Sequence, residues 1–345
     1  MKAIFSIILA ATPCFAQFTP TNCDFAGVVG CYPFISSPND LSTNQNHGQI
    51  QGPVGVPDRF TNAFGAYFFD GENDEIRFGN RLKPRFPLTI SAWILYHDIP
   101  GSPFYGIFRN GNWGGGSYHG LHFGINPEGN GRSHLYVAVG DGGFPAADAR
   151  RQKQATGADG IAVITNQWTH VAAVLRSTSD FKLYVNGVEV TGTYSGTGGS
   201  VVNDSTTSRL GVSNTGSGGY RLRGMIDDFC IFSRALTAEE IVSLVNAPNP
   251  GLVDSDGDTY TDLEELRSGS GPCDVQDALS FSIHRSVELR FLTKTGLTYK
   301  VQYSSNLADW FDYGTMFPGT GGLVSQFVST EDTHAQFFRG VVPPQ

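Results

Sequence analysis

Residues Gly224 to Leu236 read GMIDDFCIFSRAL, and the reading of this stretch decides the fold. Ile226, Phe229, Ile231 and Phe232 give the mixed apolar pattern of a strand. Two acids, Asp227 and Asp228, interrupt it, and a helix start follows. We read it as the closing strand of a large β-sandwich whose opening strand lies near Gly30 to Phe34. Residues 17–247 then form one domain, 248–276 an acidic linker, and 277–345 a smaller C-terminal β domain.

Composition agrees with an all-β chain. The 345 residues include 43 Gly and 18 Pro, and only 16% are charged, as short strands joined by tight turns require. The net charge of −9 argues against nucleic acid, whose phosphates demand clustered Lys and Arg. It suits a chain that holds divalent cations.

Residues 1–16 have the form of a signal peptide. Lys2 supplies the positive end, Ala3 to Ala11 the apolar run, and Cys14-Phe15-Ala16 the small residues at the cleavage-reading positions. A lipoprotein anchored at Cys14 is the alternative, against which Thr12-Pro13 is a poor lead-in. No later run is long and apolar enough to span a bilayer, so the expectation is a secreted or cell-surface protein. Cleavage leaves Cys23, Cys31, Cys230 and Cys273, which allow three pairings in an oxidising compartment. Cys31 and Cys230 sit on the first and last strands, expected neighbours. That is the preferred disulfide, with Cys23–Cys273 as the remainder and free core thiols as the competing account.

Between those strands, strand patterns recur. NDLSTNQNHGQI (Asn39 to Ile50) is a polar loop. AYFFDGENDEIRF (Ala66 to Phe78) gives two strands around a turn at Asp70-Gly71. LTISAWILY (Leu88 to Tyr96) puts Ile90, Ala92, Ile94 and Tyr96 on one face, with Trp93 and Trp168 expected in the core. Further strands are expected at Tyr105 to Arg109, Gly120 to Asn126, His134 to Gly140, Trp168 to Leu175 and Phe181 to Val185, with a hairpin at Asn186-Gly187. Residues 141–160 are expected as a loop. A helix follows the closing strand, capped by Thr237 with Glu240 completing a capping box.

The ordered set DLSTNQNHG, AYFFDGENDEI, LTISAWI, QWTHVAAV, FKLYVNG and MIDDFCIFSRALTAEEI resembles the laminin-G-like (concanavalin A-like, pentraxin-related) jelly-roll family, from Gly30 to Val245. The resemblance implies a sandwich of two antiparallel sheets, a binding or adhesion role, and often calcium. It also implies a structural calcium site joining Asp40 and Asn44 of the early loop to Asp228 (or Asp227) beside the closing strand, with edge hydrogen bonding as the plainer account.

The acidic linker DSDGDTYTDLEE (Asp254 to Glu265) carries a metal pattern of its own. Asp254, Asp256 and Asp258 fall at positions 1, 3 and 5 of a calcium loop, the Tyr260 carbonyl at 7, Asp262 at 9 and Glu265 at 12. The segment resembles a thrombospondin type 3 repeat. It departs at position 6, where Thr259 stands in place of glycine. A solvated acidic spacer is the alternative.

For ligand, the aromatic residues around a Gly-rich loop are the candidates: Trp113, Tyr118 and His119, with Phe104 nearby, as stacking platforms and polar partners for a glycan. Arg150, Arg151 and Lys153 offer positive charge for an acidic glycan, or are solvated. His119 and His122 have zinc-like spacing but no third ligand. Glu72, Asp74 and Glu75 are the nearest match to the paired carboxylates of a glycosidase, and they sit at a turn. The expected function is non-catalytic glycan binding or adhesion. The alternative is a structural or protein-binding surface component.

Overall fold

The computed structural model describes residues 26–99, 104–114, 117–128, 130–143, 149–213, 220–268, 286–329 and 337–343. The signal segment, Cys23, Cys273 and the LSFSI run lie outside them. The chain divides into two compact units, Met1–Leu279 and Ser280–Gln345.

The first unit is a sandwich of two antiparallel sheets. One has eight strands and is built on Leu88–Tyr96, which pairs with Thr169–Ser177 on one side and with Arg223–Phe232 on the other. The opening strand Val28–Tyr32 joins Arg223–Phe232, with Cys31 opposite Cys230, so chain start and sandwich end meet. The second sheet has ten strands, among them Gly192–Ser195, Arg150–Ala155, Arg132–Asp141, Ser117–Pro127 and Tyr105–Arg109 in spatial order. The two halves of AYFFDGENDEIRF do not pair with each other: Ala66–Asp70 belongs to the first sheet and Glu75–Arg77 to the second.

The alternation that reads as strand from sequence is what fills the core. Ile90, Ala92, Ile94 and Tyr96 are fully buried against Leu121, Phe123, Ile125, Leu135, Val137 and Val139 of the facing sheet. Trp93 and Trp168 are not core residues: both are half-buried. Trp93 sits on the outer face, under the Arg59 guanidinium and edge-on to His170. The Asn186-Gly187 turn has φ of 48° and 79°, the left-handed pair that a two-residue hairpin needs.

The helix Ala238–Val245 begins at Thr237 with both bonds of its capping box in place. Its Ile241 and Leu244 bury against Cys31, Ala172, Val174, Cys230 and Phe232, closing the outer face of the eight-stranded sheet.

The acidic segment is not a free spacer but part of the first unit. Asn62 Nδ2 donates to Asn249 Oδ1 at 2.8 Å, Arg267 donates to the Ala63 carbonyl at 2.5 Å, and Leu263 is buried. A short helix, Asp262–Ser268, ends it. The second unit holds two small antiparallel sheets, Ser286–Leu292 with Leu323–Ser329, and Thr298–Ser304 with Phe311–Pro318 and Phe337–Val341.

Among the described residues no helix is long and apolar enough to cross a membrane.

Candidate functional site

The ten-stranded sheet presents a cleft of about 470 Å³ on the face turned away from the core. That volume is within the range of small-ligand sites. Strand alternation builds it. On Ser117–Pro127 the odd residues Leu121, Phe123 and Ile125 fill the core, so Tyr118, His122 and Asn126 face the cleft. On Arg132–Asp141 the same rule turns Tyr136 outward, and on Arg150–Ala155 it turns Arg150, Gln152 and Gln154 outward. The register sets them in rows: Gln152 beside Ala138 beside His122, and Arg150 beside Gly140 beside Gly120. Small residues in those rows keep the floor low. At Gly124 an added Cβ would meet the Phe104 ring at 2.4 Å, so glycine is what lets that ring lie on the sheet.

The floor is aromatic. Trp113 packs on Tyr118 and on His122 at centroid distances of 4.7 and 4.8 Å, and Phe104 packs on His122 and Tyr136 at 4.8 and 5.2 Å. Tyr220, 39% exposed, leans edge-on to Phe104 at the rim. One wall is made of amides. Tyr136 donates its hydroxyl to Gln152 Oε1 at 3.0 Å, and Asn126 Nδ2 donates to Gln154 Oε1 at 2.7 Å. Both glutamine oxygens are thereby engaged and their NH₂ groups remain as donors. Trp113 Nε1 and both ring nitrogens of His122 are buried with no hydrogen-bond partner among the described residues. Burial, with Arg109 and Arg150 nearby, holds the His122 imidazole down at about 3, so the ring is neutral near pH 7 and offers one donor and one acceptor. Burial pushes the Tyr136 hydroxyl well above its ordinary range, which keeps it a donor. An aromatic floor with an amide wall suits a ligand with one apolar face and hydroxyl edges.

The candidates from sequence divide here. Trp113 and Tyr118 line the cleft. Trp113 belongs to a short strand, Trp113–Gly114, paired with Ser117–Pro127, rather than to a loop. His119 does not line it: one residue out of phase, it points to the opposite side, where Nδ1 stands 3.8 Å from Asp204. The same phase separates His119 from His122, which removes the zinc-like spacing. Arg150–Ala155 is a strand and not the expected loop. Arg150 faces the cleft, whereas Arg151 donates to the carbonyls of Thr178 and Gly196 at 2.9 and 2.7 Å, and Lys153 to that of Phe181 at 2.6 Å. Tyr136, Gln152, Gln154 and Asn126 are not singled out by the sequence. The signal available is the polar phase of two strands whose other phase is core.

The carboxylates considered for hydrolysis stand outside the cleft lining. Asp74 accepts the Asp70 amide at 2.9 Å, and Glu75 is clamped by Arg77 and Arg209 at 2.5 Å each.

Nor does the structure gather the expected metal set of the sandwich. Asp40 accepts the amides of Cys31, Ser42 and Asn46 at 2.8 to 2.9 Å, and Asn44 donates to the Val28 carbonyl at 2.8 Å. These bonds hold the early loop on the first strand. Asp228, left-handed at φ 47° in a bulge of the closing strand, is instead ion-paired with Arg59, as is Asp227 at 2.6 Å. Burial and the adjoining Asp228 push the Asp227 carboxyl well up, and the shared Arg59 opposes this.

The acidic segment does converge. Oxygens of Asp254, Asp256 and Asp258 lie within 4.8 Å of one another. Asp254 accepts the amides of Gly257 and Thr259 at 2.7 and 2.9 Å, Asp256 that of Asp258 at 3.2 Å, and Asp258 that of Tyr260 at 2.9 Å. Asp256 Oδ2 and Asp258 Oδ2 are buried with no hydrogen-bond partner among the described residues. Burial, followed by Asp256 and Asp258, pushes the fully buried Glu265 up to about 7. Asp262 turns its carboxylate to Ser255, accepting from N and Oγ at 2.9 and 2.8 Å.

The family model for concanavalin A-like lectin/glucanases, Laminin_G_3, matches residues 70–242, half of the chain. No curated protein matches it. Among solved structures, the chain is similar to domain 4 of AbnA, a GH43 extracellular arabinanase from Geobacillus stearothermophilus, in complex with arabinotriose. Identity is 20% and the TM-score 0.46, over 64% of this chain and 98% of that one. It is similar to the binding domain of Paraclostridial Mosquitocidal Protein 1, at 16% identity and TM-score 0.48 over 83% of this chain and 63% of that one. It is also similar to the botulinum neurotoxin serotype D ligand binding domain in complex with N-acetylneuraminic acid, at 16% identity and TM-score 0.45 over 64% and 50%. At these identities the likeness is one of fold alone. With two antiparallel sheets in the sandwich and the family model spanning both, this chain belongs to the Laminin_G_3 family of the concanavalin A-like lectin/glucanase superfamily.

Proposed function

We propose that this chain is an exported, non-catalytic binding module that takes a glycan in the cleft of the ten-stranded sheet. The observation that carries the reading is the cleft itself. Trp113, His122, Phe104 and Tyr136 form a near-continuous ring surface, and the amide NH₂ groups of Gln152 and Gln154 stand beside it as donors. A pyranose has the matching chemistry, with C–H groups on one face and hydroxyls at its edge. The NH₂ groups of Gln152 and Gln154 can donate to those hydroxyls, each such bond contributing about 0.5–1.5 kcal/mol net. Among the described residues the lining holds no carboxylate to serve as acid or nucleophile, which supports binding without hydrolysis.

We also assign calcium to the acidic segment. The donor set fits: Asp254, Asp256, Asp258, the Tyr260 carbonyl and Glu265 offer hard oxygens at calcium-loop spacing, and two carboxylate oxygens there are buried without a partner. Asp262 supports the loop through Ser255. The ion would neutralise crowded carboxylates and stiffen the segment against the sandwich. Its expected Kd is on the order of 0.1–1 mM, as in extracellular modules.

The test is an oligosaccharide array probed with the folded full chain in millimolar calcium. Binding to a defined set of glycans is the expected result. An array with no glycan retained would overturn the reading and favour a protein-binding surface component.

A further inference from the structure

Arg150 distinguishes this cleft from a neutral one. Among the described residues it is the only ionised side chain in the lining. Its neighbours in sequence show what an arginine or lysine on this strand does when it serves the scaffold, since Arg151 and Lys153 point the other way and bond main-chain carbonyls. The Arg150 guanidinium has no such bond and no ion pair among the described residues; it lies 5.4 Å over the Tyr118 ring. Among the described residues the acid nearest to it in sequence before the strand is Asp141, which gives its two oxygens to the amides of Gly143 and Gly199 at 2.9 and 3.0 Å. Along its row the floor is Gly140 and then Gly120, so no side chain stands between the guanidinium and the aromatic platform. Arg109, buried across the register from His122, adds positive charge beside the floor.

We propose that the cleft selects an anionic glycan, a uronate- or sulfate-bearing oligosaccharide, with the Arg150 guanidinium as the anion-binding group. This rests on the glycan reading above and adds the class of sugar. The planar fork of arginine binds a carboxylate or sulfate through two parallel N–H bonds, and stacking on Tyr118 orients the fork toward the open floor. The pyranose ring lies on Trp113 and His122, and the amide groups of Gln152 and Gln154 meet its hydroxyls.

The test is calorimetric titration of the full chain in calcium with matched pairs. Oligogalacturonate is paired with its carboxyl-reduced form, and a sulfated galactan oligosaccharide with its desulfated form. The proposal predicts that at least one acidic member binds about tenfold or more tighter than its neutral counterpart, as a charge-assisted bidentate contact implies. It also predicts that the preference weakens as NaCl is raised from about 50 to about 500 mM, and that Arg150→Gln abolishes it at unchanged Tm. Which pair shows the preference separates carboxylate from sulfate. Equal binding of acidic and neutral members, or a preference that survives Arg150→Gln, would overturn the proposal and leave the glycan reading standing. No binding of any member, by protein whose folding is verified by its Tm, would overturn both.

Discussion

Thr259 donates its backbone amide to Asp254 Oδ2 at 2.9 Å while holding φ at 85°, a left-handed conformation that a β-branched residue rarely adopts. The position is the sixth of the loop, where the sharp turn favours glycine. The loop therefore takes the turn of the proposed calcium loop in spite of the residue there, and stores the strain. Thr259→Gly is expected to raise stability by about 1 kcal/mol, because the relief of left-handed strain exceeds the added chain entropy. It should also tighten calcium binding. Thermal denaturation and calcium titration of the variant check this; a lower Tm with weaker binding would contradict it.

Removing the carboxylates should have the opposite effect on metal. Calcium is expected to raise the Tm of the wild type, and the Asp256→Ala, Asp258→Ala double variant should lose that increment. Without metal the double variant should be no less stable than the wild type, since burial and the neighbouring Asp258 push the Asp256 carboxyl up from its ordinary value. Melting curves with calcium and with chelator separate the two effects.

Cys31 and Cys230 face each other across two paired strands as buried thiols rather than the expected disulfide, Cys230 Sγ donating to Cys31 Sγ at 3.2 Å. The chain exported to an oxidising compartment is expected to carry this pair as a disulfide. Intact mass before and after reduction, with peptide mapping, checks it. Reduction should then cost about 2–5 kcal/mol of stability, since the bond closes most of the sandwich into one loop. Alkylation of both thiols in native exported protein would contradict it.

Two histidines set an acid limit on stability. Burial holds His122 and His170 down at about 3, with Arg109 and Arg59 as the respective next causes. The unfolded chain takes up these protons near pH 6.5 and the native state does not. Their contribution is therefore complete above pH 6.5 and is lost as pH falls toward 3. Between about pH 5 and 4 each should contribute a slope approaching about 1.4 kcal/mol per pH unit. His170→Gln, which keeps a polar partner for Ser91, should remove one such increment in denaturant melts across that window.

How much of this is legible in the sequence depends on whether a residue's role is set by its neighbours in the chain. Ile90, Ala92 and Ile94 alternate, and their alternation is the core; Thr237 and Glu240 are three apart, and their spacing is the cap. The strand Arg150–Ala155 carries no such signal, because RRQKQA has a cleft on one side and the stems of Arg151 and Lys153, with the small Ala155, on the other. His119 differs from its expected place by one residue of phase, which in a strand reverses the face. Asp228 illustrates the remaining limit: its partner Arg59 lies far off in the chain, and only the closed sandwich brings them together.

If the cleft between Tyr118, His122 and Gln152 is the glycan site, filling it must block binding. Gln152→Trp places an indole over the Ala138–His122 row without removing any core contact. With a glycan retained by the wild type on the array, titration of that glycan into the variant should show binding weaker by about a hundredfold or more, the loss of roughly 2.7 kcal/mol, at a Tm within a few degrees of wild type. Undiminished binding by the filled cleft would place the glycan elsewhere on the molecule and contradict the assignment of the site.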